Sequence, residues 1–295
     1  MMIAQDQPAL AECRLLIDPS SCGAWNMAVD EMLLEWAAEE GGCCWRFYRW
    51  DRPTLSLGYF QEYVDRREHA ASRNCPVVRR LTGGGAILHD AELTYSLVVH
   101  GEHPLAAKRH RLYRTVHETL IEALAELGIA ATLHGTRANH RGAEDASFES
   151  RGSPARDRPP FLCFGRRSNE DVVFEGTKIA GSAQRRRRGA VLQHGSVLLR
   201  GGPDAPELAG LEDLSGKAVD AHRLVQVWLE ALSGRVARSW RHEPLSERQQ
   251  AQATALMENR YECAGWTERR QRDFAEIPKV VLTSAGNIVT IRDGD

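Results

Sequence analysis

The residues whose chemistry stands out lie in the stretch from Phe161 to Leu199, FLCFGRRSNEDVVFEGTKIAGSAQRRRRGAVLQHGSVLL. It holds a cysteine, Cys163, a lysine flanked by small residues, Lys178, and a histidine before a glycine, His194. A thiolate is a strong nucleophile, and a nearby ammonium group favours the thiolate over the thiol. We therefore predict that Cys163 and Lys178 form a pair of nucleophile and activator.

The same residues also have plain structural interpretations. A single cysteine is usually a buried structural residue, and Cys163 follows the apolar pair Phe161-Leu162. Lys178 is compatible with a solvated strand lysine, although its small neighbours would let it point into a cleft. The residues alone leave these alternatives open.

A second candidate site is the segment Arg79-Arg80-Leu81-Thr82-Gly83-Gly84-Gly85. Glycines permit positive φ and let a backbone approach a ligand closely, while the two arginines suit a phosphate or a carboxylate on a partner. The segment is neither a P-loop nor a dinucleotide fingerprint, and a flexible hairpin turn is the alternative. His89-Asp90, just after it, is compatible with an acid–base pair, but the pattern favours a surface histidine at a strand end.

A run of four arginines, Arg185–Arg188, precedes Gly189. The favoured interpretation is the solvated tip of a hairpin. The alternative is a docking surface for an acidic partner protein.

Composition bounds the class of protein. The 295 residues carry 38 Lys and Arg against 40 Asp and Glu, and this near-neutral balance argues against a dedicated nucleic-acid binder. There is no basic leader and no apolar run near the roughly 20 residues of a membrane span, so neither secretion nor membrane association is expected. Seven cysteines without paired spacing predict reduced thiols in a cytoplasm, and no spacing suggests a metal site.

Hydrophobic periodicity predicts the elements that must position these residues. Strands are predicted at Cys13–Ile17, Cys44–Tyr48, Thr54–Leu57, Val77–Arg80, Ala86–Leu88, Thr94–Val99 and Ile129–Leu133, as a meander at Asp171–Phe174, Lys178–Ala180 and Ala190–Gln193, and as a hairpin in Lys279–Ile291. Helices are predicted at Trp25–Glu39, Asp65–Arg73, Leu112–Leu127, Asp220–Leu232 and Ser246–Asn259. Their irregular alternation favours an α+β fold over a doubly wound parallel sheet.

The domain organisation follows from the same pass along the chain. We predict one catalytic domain over 1–295, because strands resume directly after the interruption in the pattern. That interruption, at 135–160, is predicted to be a mobile insertion. The segment 220–275 is predicted to be helical.

Four segments, in order, resemble the lipoate–protein ligase and octanoyltransferase family. They are WNMAVDEMLL (25–34), FYRWDRPTLSLGYFQ (47–61), VVRRLTGGGAILHDAELTYSLVV (77–99) and GTKIAGSAQRRRRGAVLQHGSVLL (176–199). The resemblance implies an α+β fold with a mixed β-sheet and flanking helices. This is the biotin/lipoate ligase-like catalytic domain, which is related to class II aminoacyl-tRNA synthetases.

Within that family the chain looks most like the cysteine-dependent octanoyltransferases. These move an octanoyl group from acyl carrier protein through a cysteine thioester to a lysine of a lipoyl domain, with no required cofactor. Cys163 stands upstream of KIAGSAQ, and the sequence of Glu92–Ser96 resembles the corresponding segment of that branch. Only 29 residues follow Trp266, which is too few for the accessory domain of larger ligases.

One departure points to a second member of the family. The triple glycine that ends at Gly85 resembles the ATP-dependent lipoate–protein ligases, because the transferase branch often carries arginine there. A ligase would use ATP and Mg²⁺ to make a lipoyl-adenylate. A non-catalytic acyl-binding module is the third alternative.

The resemblance implies roles for individual residues. Cys163 and Lys178 would be catalytic, and the Thr82–Gly85 turn and residues 192–196 would wall an acyl tunnel. Arg79 and Arg80 would lie at its mouth, where acidic carrier and acceptor proteins dock. The full set implied to bind substrate is Arg79, Arg80, Thr82, Gly83, Gly84, Gly85, His89, Gly181, Ser182, His194 and Gly195.

The resemblance also implies the partners. They are acyl carrier protein as donor, and lipoyl domains or the glycine-cleavage carrier protein as acceptor. Nucleic acid and membranes are not expected to bind, and the protein is expected to be a monomer.

Overall fold

The computed structural model describes residues 10–135, 160–271, 279–282 and 288–291. Its strands are β1 (Glu12–Ile17), β2 (Cys43–Tyr48), β3 (Thr54–Leu57), β4 (Val77–Arg79), β5 (Ile87–His89), β6 (Glu92–Val99), β7 (Thr132–Leu133), β8 (Val172–Phe174), β9 (Thr177–Arg187), β10 (Ala190–Leu198), β11 (Ser239–His242), β12 (Lys279–Leu282) and β13 (Ile288–Ile291). Its α-helices are α1 (Gly23–Glu39), α2 (Arg109–Glu126), α3 (Leu211–Ser215), α4 (Ala221–Leu232), α5 (Glu247–Leu256) and α6 (Ala264–Arg269). The predicted insertion at 135–160 lies, except for its two end residues, outside the described residues.

Eight of the described strands form one mixed sheet in the order β11-β1-β2-β6-β10-β9-β8-β7. From β2 to β7 neighbouring strands run antiparallel, whereas β1 is parallel to both β2 and β11. A second sheet has the order β4-β3-β5, and the segment Thr82–Gly85, called the glycine segment below, lies between β4 and β5 in the chain. The predicted α+β fold with a mixed sheet and flanking helices is confirmed.

Helices cover the two faces of the central sheet because successive strand residues point to opposite sides. Trp45 and Phe47 of β2 join a core with α2 and α4, while Cys44 and Tyr48 join a core with α1 and α5. Every residue of β2 is consequently buried. The sheet is therefore the middle layer of three.

Most predicted elements exist, but two were misassigned. The polar segment Asp65–Arg73 forms parts of two short 3₁₀ helices, Tyr63–Glu68 and Ala71–Asn74, because it has no apolar stripe to bury. The predicted helical segment 220–275 also contains β11, which pairs in parallel with β1. A strand of four residues with two exposed side chains gives little periodic signal.

The arginine run was also misread. Strand β9 continues through Arg187, so the turn of the hairpin is confined to Arg188-Gly189, both of which have positive φ. Arg187 forms ion pairs with Glu31 and Glu35 of α1. The run is therefore not a solvated tip along its whole length.

The prediction that all cysteines are reduced is wrong at one pair. Cys13 of β1 and Cys43 of β2 are joined in a disulfide, with their Cα atoms 4.7 Å apart. Parallel pairing of the two strands places the two residues side by side, which spacing in the sequence does not reveal.

No helix among the described residues is long and apolar enough to span a membrane.

Burial of histidines makes the stability of the fold pH-dependent. Burial lowers the pKa of His89, His103 and His117 below the usual value of 6.5. In the pH range just below 6.5 the unfolded chain therefore binds protons that the folded chain does not, so stability falls as pH decreases.

We expect the free energy of unfolding to decrease as pH is lowered from about 7.5 to 5.5, with a slope of up to about 1.4 kcal/mol per pH unit for each such histidine. The substitution His117→Gln removes one titrating group and should reduce this slope in chemical-denaturation titrations. His222→Gln, at an exposed position, is the matched control. An equal slope in the wild type and H117Q would contradict the explanation.

Candidate functional site

A cleft with about 500 Å³ of empty space, part of it open to solvent, lies on the α1 side of the central sheet and is called the cavity below. It is bounded by β2, β6, β9 and β10, by α1 and β5, and by the segments at 83–84 and 163–164. Ten of the thirteen predicted site residues line it: Arg80, Gly83, Gly84, His89, Cys163, Lys178, Gly181, Ser182, His194 and Gly195. The other three, Arg79, Thr82 and Gly85, do not line it.

The structure brings Cys163 and Lys178 together. Lys178 Nζ lies 3.7 Å from Cys163 Sγ and 3.5 Å from the carbonyl oxygen of the same residue. Cys163 opens a 3₁₀ turn and is partly exposed, whereas Lys178 is buried in β9. A buried ammonium beside an accessible thiol is the arrangement that favours a nucleophilic thiolate.

Backbone pairing fixes the position of the cysteine. The Ala86 N–H donates to the Phe161 carbonyl, and the Cys163 N–H donates to the Ala86 carbonyl. The chain before β5 and the cysteine segment therefore run side by side. Gly85 lies next to this backbone pairing, and a Cβ atom at Gly85 would be only 3.0 Å from the Cys163 backbone. The third glycine of the triple therefore lets the cysteine segment pack closely against the chain before β5.

Asp171 is a site residue that the sequence reasoning missed. Its carboxylate lies 3.0 Å from Lys178 Nζ and also accepts a hydrogen bond from the Ser168 N–H. Both side chains are buried, and the carboxylate pairs with the ammonium group and positions it beside Cys163. The sequence did place an acidic residue at the start of the predicted strand Asp171–Phe174. Only the pairing of β8 with β9 in the fold shows that this residue lies beside the lysine.

Gly181 makes room for the lysine, and Gly195 allows close packing of β10 against Gly181. A Cβ atom at Gly181 would lie 2.6 Å from Lys178 Cε, and one at Gly195 would lie 2.5 Å from the Gly181 carbonyl oxygen. Real Cβ contacts essentially never come this close. The small residues around Lys178 were therefore correctly interpreted as space for its side chain.

The prediction that Arg79 and Arg80 lie at the mouth is wrong, because both are buried. Arg79 donates to the carbonyls of Gly58, Tyr59, Gln61 and Thr267, which ties the loop after β3 to α6. It therefore has no free face for a partner protein.

Arg80 lines the cavity from within. It donates to the Ser56 carbonyl and hydroxyl and to the carbonyls of Gly83 and Gly85, so it fixes the glycine segment. Burial lowers the pKa of Arg80 to about 10, against the opposing influence of Cys163. The guanidinium is still charged near neutral pH and contributes positive potential to the cavity.

His194 belongs to a buried chain of hydrogen bonds. Its Nδ1 lies 3.0 Å from Asp30 Oδ2 and its Nε2 lies 2.6 Å from Thr82 Oγ1. The hydrogen bond from His194 and the charge of Arg46 outweigh burial, which alone would raise the pKa of Asp30, and hold it below its usual value. An ionised Asp30 accepts a hydrogen bond from Nδ1, and the contact of Nε2 with Thr82 connects this chain to the glycine segment.

His89 is not the surface residue that its sequence position favoured. It is 4% exposed, stacks on Trp50 and contacts Glu92 through Nδ1 and Ser56 through Nε2. Its partner Glu92 lies at the start of β6 and was named from the sequence only as part of the segment Glu92–Ser96, with no role of its own. Contacts with β3 and β6, rather than local sequence, bury this histidine.

The comparison with known proteins bears on this arrangement. The model of the lipoyl protein ligase A/B catalytic domain matches residues 23–213. The chain belongs to this family. The match contains α1, the glycine segment, Cys163 and Lys178, which are the parts that form the cavity.

Several proteins named octanoyltransferase LipM are similar in sequence to this chain over most of its length. The one from Kyrpidia tusciae is 36% identical over 253 residues, which are 76% of this chain and 88% of the relative. Those from Brevibacillus brevis and Bacillus subtilis are 38% and 39% identical over 194 and 190 residues, covering 64% and 63% of this chain and 67% and 65% of the relatives.

Solved structures confirm the fold. A bipartite lipoate protein ligase from Thermoplasma acidophilum, described with its E2 lipoyl domain, superposes with a TM-score of 0.66 at 21% identity over 89% of this chain and 98% of that one. A lipoate-protein ligase A bound with ATP gives 0.62 at 20% identity over 88% and 98%. At these identities the likeness concerns the fold alone.

We expect Asp171→Asn to lower kcat/KM by about 10- to 100-fold, because it removes a charge-assisted hydrogen bond worth about 1.5–3 kcal/mol. If Asp171 acts through the lysine, it should have no further effect in a Lys178→Ala background. The exposed Glu175→Gln is the matched control. Multiplicative losses in the double variant would show that the two residues act independently.

Proposed function

We propose that this protein is an octanoyltransferase of protein lipoylation, which takes an octanoyl group from an acyl carrier protein, holds it as a thioester on Cys163 and passes it to a lysine of a lipoyl domain. The observation that carries the proposal is the 3.7 Å contact between Cys163 Sγ and Lys178 Nζ at the cavity. The octanoyltransferases among its relatives support the same reaction.

The first half-reaction is a thioester exchange. The Cys163 thiolate attacks the carbonyl carbon of the octanoyl thioester, and the thiolate of the donor leaves. Charge moves from sulfur to the carbonyl oxygen in the tetrahedral intermediate. A group that pairs with both positions lowers the barrier. Lys178 suits this role because Asp171 fixes its ammonium beside the nucleophile.

The second half-reaction is an aminolysis. The neutral ε-amine of the acceptor lysine attacks the thioester on Cys163, the amide forms, and the Cys163 thiolate leaves beside the Lys178 ammonium. The proton of the amine is released at this step. Neither ATP nor Mg²⁺ enters this scheme, because the octanoyl group arrives already activated as a thioester.

The acceptor and the donor are proteins whose reactive group reaches the cysteine from outside. The partial exposure of Cys163 supports this, since a lysine side chain or a thioester arm could approach it. A family neighbour studied with its lipoyl domain supports a lipoyl domain as acceptor here. The glycine-cleavage carrier protein is a second acceptor to test.

The test is an assay with purified protein, octanoyl acyl carrier protein and a lipoyl domain, without ATP. We expect octanoylated domain, and an acyl-enzyme on Cys163 that intact mass spectrometry detects when the acceptor is omitted. Cys163→Ser should reduce transfer by at least about 10³-fold, as loss of a nucleophile does.

The matched control is Cys263→Ser, since that thiol is also partly exposed but lies at the start of α6 and does not line the cavity. The proposal fails if transfer requires ATP with free octanoate or lipoate and survives Cys163→Ser. That result would assign the chain to the ATP-dependent ligases of its family.

A further inference from the structure

Phe60 is the most exposed large hydrophobic side chain among the described residues. It is 73% exposed, and Val64, four residues later, is 53% exposed. Ile17, at the end of β1, is the remaining large hydrophobic side chain that the described part of the chain exposes. Single apolar residues on a surface are common, so the meaning of Phe60 depends on where it lies and how it is held.

The backbone that carries Phe60 is held at every carbonyl. Residues 58–61 form a turn that is closed by a backbone hydrogen bond between its first and last residues. Arg79 donates to the carbonyls of the first, second and fourth residues of this turn, and Arg270 donates to the carbonyl of Phe60. An exposed ring on such a fixed backbone loses little conformational entropy when a partner covers it.

Phe60 lies beside the opening of the cavity. The exposed Gly84 and the partly exposed Cys163 both line the cavity, so it opens where these two residues meet solvent. A Cβ atom at Gly83 would lie 3.6 Å from the Phe60 ring, and one at Gly85 would lie 3.0 Å from the Cys163 backbone. The glycine segment therefore contacts both the Phe60 ring and the segment that carries the cysteine.

The rim of the opening also carries positive charge. Arg167 is exposed in the segment that follows the cysteine, and Arg185 lies two residues after Ala183, on the face of β9 from which Ala183 lines the cavity. The Arg185 guanidinium lies 5.5 Å from the centre of the Tyr59 ring, which contacts the ring of Phe60 edge-on. Neither arginine has a carboxylate partner among the described residues. The rim therefore combines an apolar side with a cationic side.

The length of the reacting groups decides which partner must touch this rim. A lysine side chain extends about 6 Å from its Cα atom, so a domain whose lysine attacks the acyl-enzyme must bring its own backbone to the opening. The thioester of an acyl carrier protein is carried on an arm with about three times as many bonds, so the carrier reaches the cysteine from farther away. Contact with Phe60 is therefore expected of the acceptor rather than of the donor.

We propose that Phe60, Val64, Arg167 and Arg185 form the docking surface for the acceptor lipoyl domain, with Phe60 as its apolar anchor. Aromatic and arginine side chains are enriched in such interfaces. The complementary surface of the domain presents an apolar side chain and carboxylates beside the target lysine. The proposal rests on the proposed function and adds to it the residues that recognise the acceptor, none of which lines the cavity.

The test separates the two half-reactions. Acyl-enzyme is formed from octanoyl acyl carrier protein and followed by intact mass spectrometry, and the isolated acyl-enzyme is then mixed with increasing concentrations of a lipoyl domain. Phe60→Ala should raise the KM for the domain at least about tenfold, as loss of a central aromatic contact does. The rate of acyl-enzyme formation should stay within about twofold of the wild type, because the donor does not need this contact.

A small amine that needs no docking serves as the second acceptor. Hydroxylamine should discharge the acyl-enzyme of Phe60→Ala as fast as that of the wild type, which shows that the thioester is equally reactive. Ile17→Ala removes an exposed hydrophobic side chain elsewhere and is the matched control, with no expected change in the KM for the domain. Arg167→Gln should raise that KM at low ionic strength and lose most of its effect in high salt.

The outcomes separate this proposal from the function on which it rests. If the wild type forms no acyl-enzyme from the carrier protein, the proposed function fails. If it forms acyl-enzyme but Phe60→Ala leaves the KM for the domain unchanged, the docking surface is wrong while the function stands. If Phe60→Ala instead slows acyl-enzyme formation, the surface serves the donor and its assignment to the acceptor is overturned.

Discussion

The buried carboxylate of Asp30 is the interaction on which the site depends. It accepts hydrogen bonds from Arg46, Tyr48, Ser96 and His194, so a single residue of α1 joins β2, β6 and β10. An ionised carboxylate in an apolar core is costly unless such donors surround it. Its need for partners therefore sets the distance between helix and sheet, and this spacing defines the cavity.

In addition to this buried carboxylate, the site depends on two glycines. Lys178 can reach Cys163 from within β9 only because Gly181 leaves room for its aliphatic stem, and Gly195 lets β10 approach the same place. Such glycines weaken a strand, since they add backbone entropy and pack poorly. The structure tolerates them in a strand that pairs along most of its length with β10.

Local sequence predicted most of the elements and the proximity of Cys163 and Lys178, but not what surrounds these two side chains. The strand Thr54–Leu57 and the helix ending before Gly128 followed from periodicity and capping, because those signals are local. Asp171, Asp30 and Glu92 were missed, since each becomes a partner only through strand pairing or helix packing. The resemblance implied that Arg79 and Arg80 lie at the mouth of the tunnel, whereas backbone carbonyls from distant loops bind both of them in the interior.

The triple glycine shows how such a distant contact can change the meaning of a motif. Read alone, Gly85 favours a ligase, since it completes a spelling shared with ATP-dependent members of the family. In the fold it lies against the Cys163 backbone, which a Cβ atom would approach to 3.0 Å, so the glycine allows close packing of the segment that carries the thiol. The same glycine is therefore compatible with a nucleophilic cysteine and stops being an argument against transfer. At this position the residue type alone therefore does not distinguish a ligase from a transferase, because the packing of the residue explains its presence.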